Sequence, residues 1–515
     1  MAKRFSALLL MMLFIPLLYG QDIGQKLEEL DRYYEQAVND WNVPGMAVAI
    51  VHEGELVFSK GYGTRNIDTG EGVDGNTLFA VASNTKAFTT AALAMLVDEG
   101  RLAWDDRVRD HLPWFGLYDP CVSDHFTIRD LLTHRSGLKT FSGDLIWYGT
   151  RWSREEVVRK AKYLEPSFGF RSGYGYSNIM YLAAGLVIEE VSGMSWDDFI
   201  ITRILEPLHM DRTLSTIRAL PEMDNVSAPH NDHHNSIITI NWLNWDNIAP
   251  AGSLISSAND MSKWLIFQLN KGVTSGGDTL LPEHSFDEMW AAVTPQAVSK
   301  WSAETWPSTH FKAYGLGWAM FDYHGRKVLG HGGGYDGFIS NTTFVPEEGL
   351  GMVFLTNKNS SLYYPLKFKT LDVLLDAGEE KDWSAEFLQL MAAREERDRL
   401  NREKAAEERI LDTKPTLPAE AYLGTYHCRM YGDARVYMAG ETMMLDLEPA
   451  EIFLGSLSHW QYNTWKLVFD KVPSLPPGLV NFIINEKGEV SEMQVDLPNP
   501  DFDFTELKFM KSGQE

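Results

Sequence analysis

The stretch FAVASNTKAFTTAALAMLVDEGRL, Phe79 to Leu102, sets a lysine one helical turn after a serine in a segment otherwise built for burial. The apolar run from Ser83 to Glu99, closed by Gly100, predicts a core helix. Residues three apart on a helix are surface neighbours, so Ser83 and Lys86 share a face. An ammonium in a dry site is costly unless it is paired or gives up its proton. Two readings are open at this point. In one, Ser83 is an N-cap and Lys86 is solvated. In the other, Lys86 is buried with a lowered pKa and takes the proton of Ser83, where the helix start favours developing negative charge. The Ser-x-x-Lys spacing alone decides nothing. Ser136-Gly137-Leu138-Lys139 also fits, although Gly137 breaks a helix there.

Upstream of this stretch, Leu27, Leu30, Tyr33, Tyr34 and Val38 have helical spacing, and PGMAVAIVHEGELVFSKGYGTRN reads as two strands with a Glu53-Gly54 turn. Downstream, helical patterns recur at Ile128–His134, Ile179–Val191 and Asn259–Leu269, and VLGHGGGYDGFISNTTFVPEEGLGMVFLTN reads as strands joined by glycine-rich turns. Helix, hairpin, helical block and returning strands predict an α/β architecture, a mixed sheet with helices packed around it. A charged helix with both signs interspersed then runs to about Ile410, and DTKPTLP breaks it. It reads as a solvated linker over residues 377–415, so a chain ended near Asp382 is expected to keep the fold of residues 21–376. From 416 to 515 the chain is short alternating strands, about eight in all, which predicts a small antiparallel sandwich or barrel. It shows no nucleophile, metal cluster or glycine loop.

The 515 residues exceed one ordinary domain, and the formal net charge of −25 repels nucleic acid and anionic lipid. Residues 1–20, with basic Lys3 and Arg4, an apolar Leu8–Leu18 and small Gly20, have the pattern of a signal peptide. An uncleaved N-terminal anchor is the other reading. The expectation is therefore an exported protein, periplasmic or secreted, with no stable membrane insertion after cleavage. Two cysteines, Cys121 and Cys428, fall in different predicted units and read as free thiols.

Two further segments carry chemistry. In YGYSNIMYLAAGLVIEE, Tyr176 and Asn178 stand at a helix entrance. A tyrosine is an acid–base if nearby cations lower its pKa, and an asparagine amide can orient a carbonyl. In LGHGGGYDGF, His331 to Gly334 end a strand, where backbone without side chains can approach a ligand and present an N–H to an oxyanion. Each alone reads as a capped helix or a turn. HNDHHN, with His230, His233 and His234, matches no standard zinc spacing. Trp147, Trp152, Trp242 and Trp245 read either as an apolar acyl pocket or as core, and Asp105-Asp106 as a capped turn.

Taken in order, Ser-x-x-Lys, Tyr-x-Asn and His-Gly-Gly resemble the serine β-lactamase and penicillin-binding-protein superfamily, most closely its class C β-lactamase-like branch of DD-carboxypeptidases, D-aminopeptidases and esterases. TIRDLLTHRSGL, APAGSLISSANDM and AYGLGW support the resemblance, which covers about Ile23 to Asn357. It implies an α+β domain with an antiparallel sheet and a helical subdomain. It also implies an acyl-enzyme on Ser83, a proton relay through Lys86 and Tyr176, substrate contact by Asn178, and an oxyanion hole from the backbone of Ser83 and Gly334. His331 and Gly333 would line the substrate site. The C-terminal strands resemble the lipocalin-like domain appended to some of these hydrolases. The departure is His331-Gly332-Gly333 where the best-known members carry Lys-Thr-Gly or Lys-Ser-Gly. Histidine changes charge near pH 7 and Gly332 offers no hydroxyl, which argues against β-lactam and D-Ala-D-Ala substrates.

The resemblance thus predicts a hydrolase of small-molecule or short-peptide amides or esters, with no cofactor, no metal and no nucleic-acid partner. The reading from another class is a ligand-binding or sensor protein on the same fold. Reaction of Ser83 with an acylating or phosphonylating label separates the two.

Overall fold

A computed structural model describes residues 23–233, 236–377, 381–472, 475–499 and 501–513. Residues 1–20, which read as a signal peptide in the sequence, and His234 lie outside them. Helix α1 (residues 23–40) leads into β1 (Gly45–His52) and β2 (Glu55–Gly63). Glu53 and Gly54, at φ of 50° and 80°, make the tight hairpin turn that positive φ at both central residues permits.

A long helical block follows. It contains α2 (Thr85–Asp98), α3 (Asn178–Ser192) and α4 (Ala258–Leu269). The chain then returns through β3 (Thr294–Gln296), β4 (Lys312–Tyr314), β5 (Ala319–Tyr323), β6 (Arg326–Tyr335), β7 (Phe338–Val345) and β8 (Leu350–Thr356). The sheet order is β2-β1-β8-β7-β6-β5-β4-β3. Every pairing is antiparallel, so the sheet is not mixed. The helical block delivers the chain to the far edge, and the later strands meander back to β1, which needs no parallel crossover.

Both faces of the sheet are buried. Ala47, Ala49 and Val51 of β1 face the helical block, whereas Met46, Val48 and Ile50 face α1 and α5 (Tyr363–Leu374). Two covered faces explain why β1 reads as an unbroken apolar run instead of an alternation. Helix α2 is buried from Thr85 to Leu96 without a gap, with Phe88 stacked on Trp264 at 3.9 Å. It is a helix enclosed along this length, and it sets Lys86 in the interior.

The charged helix α6 (Trp383–Glu407) buries only its first turn, through Trp383, Ser384 and Phe387. Eight strands between Gly424 and Lys511 close into an antiparallel barrel. The barrel does not stand apart. Its apolar interior is continuous with that of the helical block, because residues 139–152 pack against it. Phe502 lies 4.2 Å from the Tyr148 ring, Ile452 fills the space above Gly149, and Trp152 Nε1 donates to Tyr431 O at 3.2 Å. Glu506 accepts from Ser142 Oγ at 2.6 Å and from Gly143 N at 2.8 Å, and Lys139 is ion-paired with Asp503. Sequence alternation carries no sign of this docking, since its partners lie some 360 positions apart.

Candidate active site

Ser83 sits on a single tight turn, Ala82–Asn84, that runs directly into α2. Ala82 holds φ of 45°, a left-handed conformation that costs a non-glycine residue about 1–2 kcal/mol. The surroundings impose it. Val81 N donates to Leu254 O at 2.9 Å, Ser340 Oγ donates to Val81 O at 2.7 Å, and Asn84 Nδ2 donates to Ser340 Oγ at 2.8 Å. The next residue, Thr85, ties its hydroxyl to Ala82 O at 2.6 Å. The serine is thus aimed by strands and helices on both sides of the turn.

Lys86 is completely buried. Its Nζ lies 3.0 Å from Ser83 Oγ, 2.7 Å from Asn178 Oδ1 and 2.8 Å from Ala251 O. The rings of Tyr176 and Tyr181 lie 4.7 and 5.4 Å from it. Burial holds its pKa well below the usual lysine range, with Asp144 acting weakly the other way. Of the two readings of Lys86, the solvated one is therefore excluded. The decoy pair separates as well. Ser136 Oγ accepts from Leu138 N at 3.3 Å, Gly137 has φ of 99°, and Lys139 turns away to Asp503 and Glu506.

Asn178 opens α3 and joins Lys86 to a group that sequence reasoning missed. Its Nδ2 donates to Asp144 Oδ2 at 2.6 Å, and Trp147 Nε1 donates to Asp144 Oδ1 at 2.9 Å. Burial pushes the Asp144 carboxyl up to about 7 against these hydrogen bonds. The one signal in SGDLIW was Trp147, three residues after Asp144.

The Tyr176 phenol is pushed well above 10 by burial, against a hydrogen bond with Ser83. Desolvation of the phenolate sets this direction. His134, also missed, packs its ring 4.2 Å from Tyr176 and accepts from Ser177 N at 3.1 Å. Burial and Lys86 hold it well below the ordinary histidine range.

His331 departs from expectation too. It is buried, with Nδ1 2.6 Å from Gly332 O and Nε2 2.9 Å from the Tyr314 hydroxyl. A carbonyl only accepts, so Nδ1 carries the proton and Nε2 accepts from Tyr314. Burial, with Lys86 adding to it, drives its pKa down to about 3. The charge change expected near pH 7 is absent. We expect the ratio of kcat/KM for an anionic over a neutral ester to stay flat from about pH 5 to 8, whereas an ordinary histidine would step it near 6.5. Such a step, lost in His331→Gln, would overturn the assignment.

Gly333 pairs with Ser340, and a side chain there would overlap Val81 O, Ser340 Oγ and Ala82 Cβ. Strand β6 therefore touches the Ser83 turn backbone to backbone. Gly334 is exposed, and a Cβ there would meet only Ile339 Cδ1 at 3.6 Å. Gly333→Ala should push β6 off the turn, lowering kcat/KM about 100-fold and stability by about 1–3 kcal/mol. Gly334→Ala should be much milder. Equal effects of the two on ester hydrolysis would refute this account.

The tryptophans divide. Trp147 is core, Trp152 belongs to the barrel contact, and Trp242 and Trp245 pack half-buried on Tyr335 at 5.5 and 4.6 Å. His230 uses both ring nitrogens, toward Asn357 O and Ile67 N, which leaves none for a metal. Cys121 and Cys428 are free thiols.

A family model described as Beta-lactamase matches residues 30–370, more than half of the chain. The chain belongs to the beta-lactamase family. A relative named unguisins hydrolase ungD', from Aspergillus campestris, is 30% identical over 435 residues, 79% of this chain and 77% of its own. Protein flp of Staphylococcus aureus is 27% identical over 341 residues, 66% of this chain and 64% of its own. These place the chain among beta-lactamase-family serine hydrolases. The octameric penicillin-binding protein homologue from Pyrococcus abyssi shares the fold, at a TM-score of 0.61 and 20% identity over 94% of this chain and all of that one. SurE with D-Leu aligns at a TM-score of 0.53 and 20% identity, over 95% of this chain and all of its own. Residues 408–511, outside the beta-lactamase match, correspond to a domain of unknown function, DUF3471.

Proposed function

We propose that this beta-lactamase-family protein is an exported hydrolase that forms an acyl-enzyme on Ser83 and cleaves amide, peptide or ester bonds. Its substrates carry no carboxylate beside the scissile bond, which makes it peptidase- or esterase-like and a poor β-lactamase. The observation that carries the reading is the set of contacts around Lys86 Nζ. Asn178 Oδ1 and Ala251 O can only accept, and a neutral amine has two N–H bonds and one lone pair. The lone pair is left for the Ser83 hydroxyl.

The steps follow. Ser83 Oγ bonds to the carbonyl carbon while its proton passes to Lys86 Nζ. The Ser83 and Gly334 N–H groups stabilise the oxyanion. Tyr176, kept as a phenol, hands a proton to the leaving nitrogen or oxygen as that bond breaks, and is resupplied from Lys86. Water then enters through the same base and releases the acyl group. Because the Lys86 pKa is lowered, kcat/KM should rise with pH through that depressed value and reach its plateau far below the usual lysine range. His331, neutral and engaged, offers no cation to a substrate carboxylate. The name of the unguisins hydrolase supports hydrolysis as the class of reaction and does not fix the substrate here.

The test is a fluorophosphonate label followed by peptide mass spectrometry, beside a panel of p-nitrophenyl esters, D-aminoacyl amides, short peptides and nitrocefin. Modification of Ser83 with turnover of neutral esters or amides is the expected result. An unlabelled Ser83 and no turnover would favour the sensor reading, and efficient nitrocefin turnover would overturn the substrate assignment.

A further inference from the structure

The face of the sheet opposite Ser83 holds a cavity of about 260 Å³ between β6 and α5. The volume suits a small ligand and lies just below the usual range of about 300–1,000 Å³ for such sites. Its floor is the back of the catalytic strand. Gly330 and Gly332 leave that floor as bare backbone, and a Cβ on Gly332 would find nothing nearer than the Tyr363 hydroxyl at 3.8 Å. Packing therefore does not require a glycine at 332, and a side chain there would enter the open space. The cavity reaches solvent at Trp301, which is 46% exposed.

Two lysines enter this space. Lys367 is only 8% exposed, and its Nζ lies over the rings of Phe368, Tyr364, Phe321 and Tyr363 at 4.8, 5.0, 5.4 and 5.9 Å. Among the described residues it has neither a hydrogen-bond acceptor nor a carboxylate partner. Lys312 donates to Ser302 Oγ at 3.1 Å and lies 5.8 Å from the Trp306 ring, again with no carboxylate. Ring faces recover part of the cost of burying an ammonium but supply no acceptor for its three N–H bonds. Burial and Lys312 bring the Lys367 pKa down to about 7, the mark of a cation lacking its anion.

We propose that this cavity is a second ligand site, separate from the Ser83 cleft, that takes a small aromatic carboxylate, its anion on Lys367 and Lys312 and its ring among the aromatic side chains. A carboxylate gives Lys367 the charged acceptor that the chain withholds, and an aryl group matches walls already made of rings.

The test titrates the full-length protein with 3-phenylpropionate and with its amide, read by calorimetry and by tryptophan fluorescence, which Trp301 and Trp306 report. The acid should bind at least tenfold more tightly than the amide. Lys367→Met, which keeps the side-chain volume, should weaken the acid at least tenfold and leave the amide unaffected. Ser83→Ala should bind both as the wild type does. Equal binding of acid and amide, or no binding of the acid at millimolar concentration, would overturn the proposal. So would loss of acid binding in Ser83→Ala together with its retention in Lys367→Met. If Lys367→Met does not fold, the acid–amide comparison on the wild type and Lys312→Gln still decide.

Discussion

Ser83→Ala should lower kcat/KM on esters and amides by about 10⁴–10⁶-fold, and Lys86→Met by a similar factor. The double variant should be no worse than either single one, because serine and lysine act as a unit and the second loss removes nothing further. Ser83 is only partly buried, so its truncation should shift stability by no more than about 0.5 kcal/mol. Lys86→Met is different. It strands Asn178 Oδ1 and Ala251 O without their donor, at about 1–3 kcal/mol each, so its folding must be checked by circular dichroism alongside the assay. Ser136→Ala should leave activity unchanged. Additive losses in the double variant, or activity surviving in Ser83→Ala, would refute the nucleophile–base pairing.

A chain ended after Leu411 should lose essentially all activity and expose an apolar surface that aggregates. The barrel reaches the Lys86 amine through a chain of contacts. Glu506 holds Ser142 and Gly143, the next residue Asp144 holds Asn178, and Asn178 holds Lys86. Glu506→Gln in the full-length protein isolates that link. It keeps the shape, weakens the contacts to Ser142 and Gly143, and should lower kcat about tenfold with little change in KM. A truncated protein that stays soluble with wild-type kcat/KM would show that the barrel does not hold the loop.

Local physics wrote much of this arrangement into the sequence. The β1–β2 hairpin follows from two apolar runs around Glu53-Gly54, and Ser83 and Lys86 meet because three residues make nearly one helical turn. The alternating C-terminal strands could close only as a sandwich or a barrel. What was not legible depends on burial and on distant partners. The state of His331 is fixed by a tyrosine on the neighbouring part of the sheet and by enclosure, neither of which its own neighbours encode. Tyr176 stays a phenol for the same reason. Asp144 lacks any motif, since its role rests on an amide 34 positions away. Lys139, read only as half of a decoy motif, pairs with Asp503 of the barrel, a contact that a chain ended near Asp382 would lack.

The continuity of the barrel with the catalytic core also sets an order of events during synthesis. Ser142 and its partner Glu506 are 364 residues apart. At ordinary elongation rates of about 5–20 residues per second, the loop waits about 20–70 s for its support. Over that interval the nascent chain holds Ser83 and Lys86, gains Asn178, Ala251 and then Gly333, and receives the Glu506 contacts to Ser142 and Gly143 after all of these. A chain halted before Glu506 should therefore lack the support of Ser142 and Gly143, and its hydrolysis should fall short of the full-length protein's.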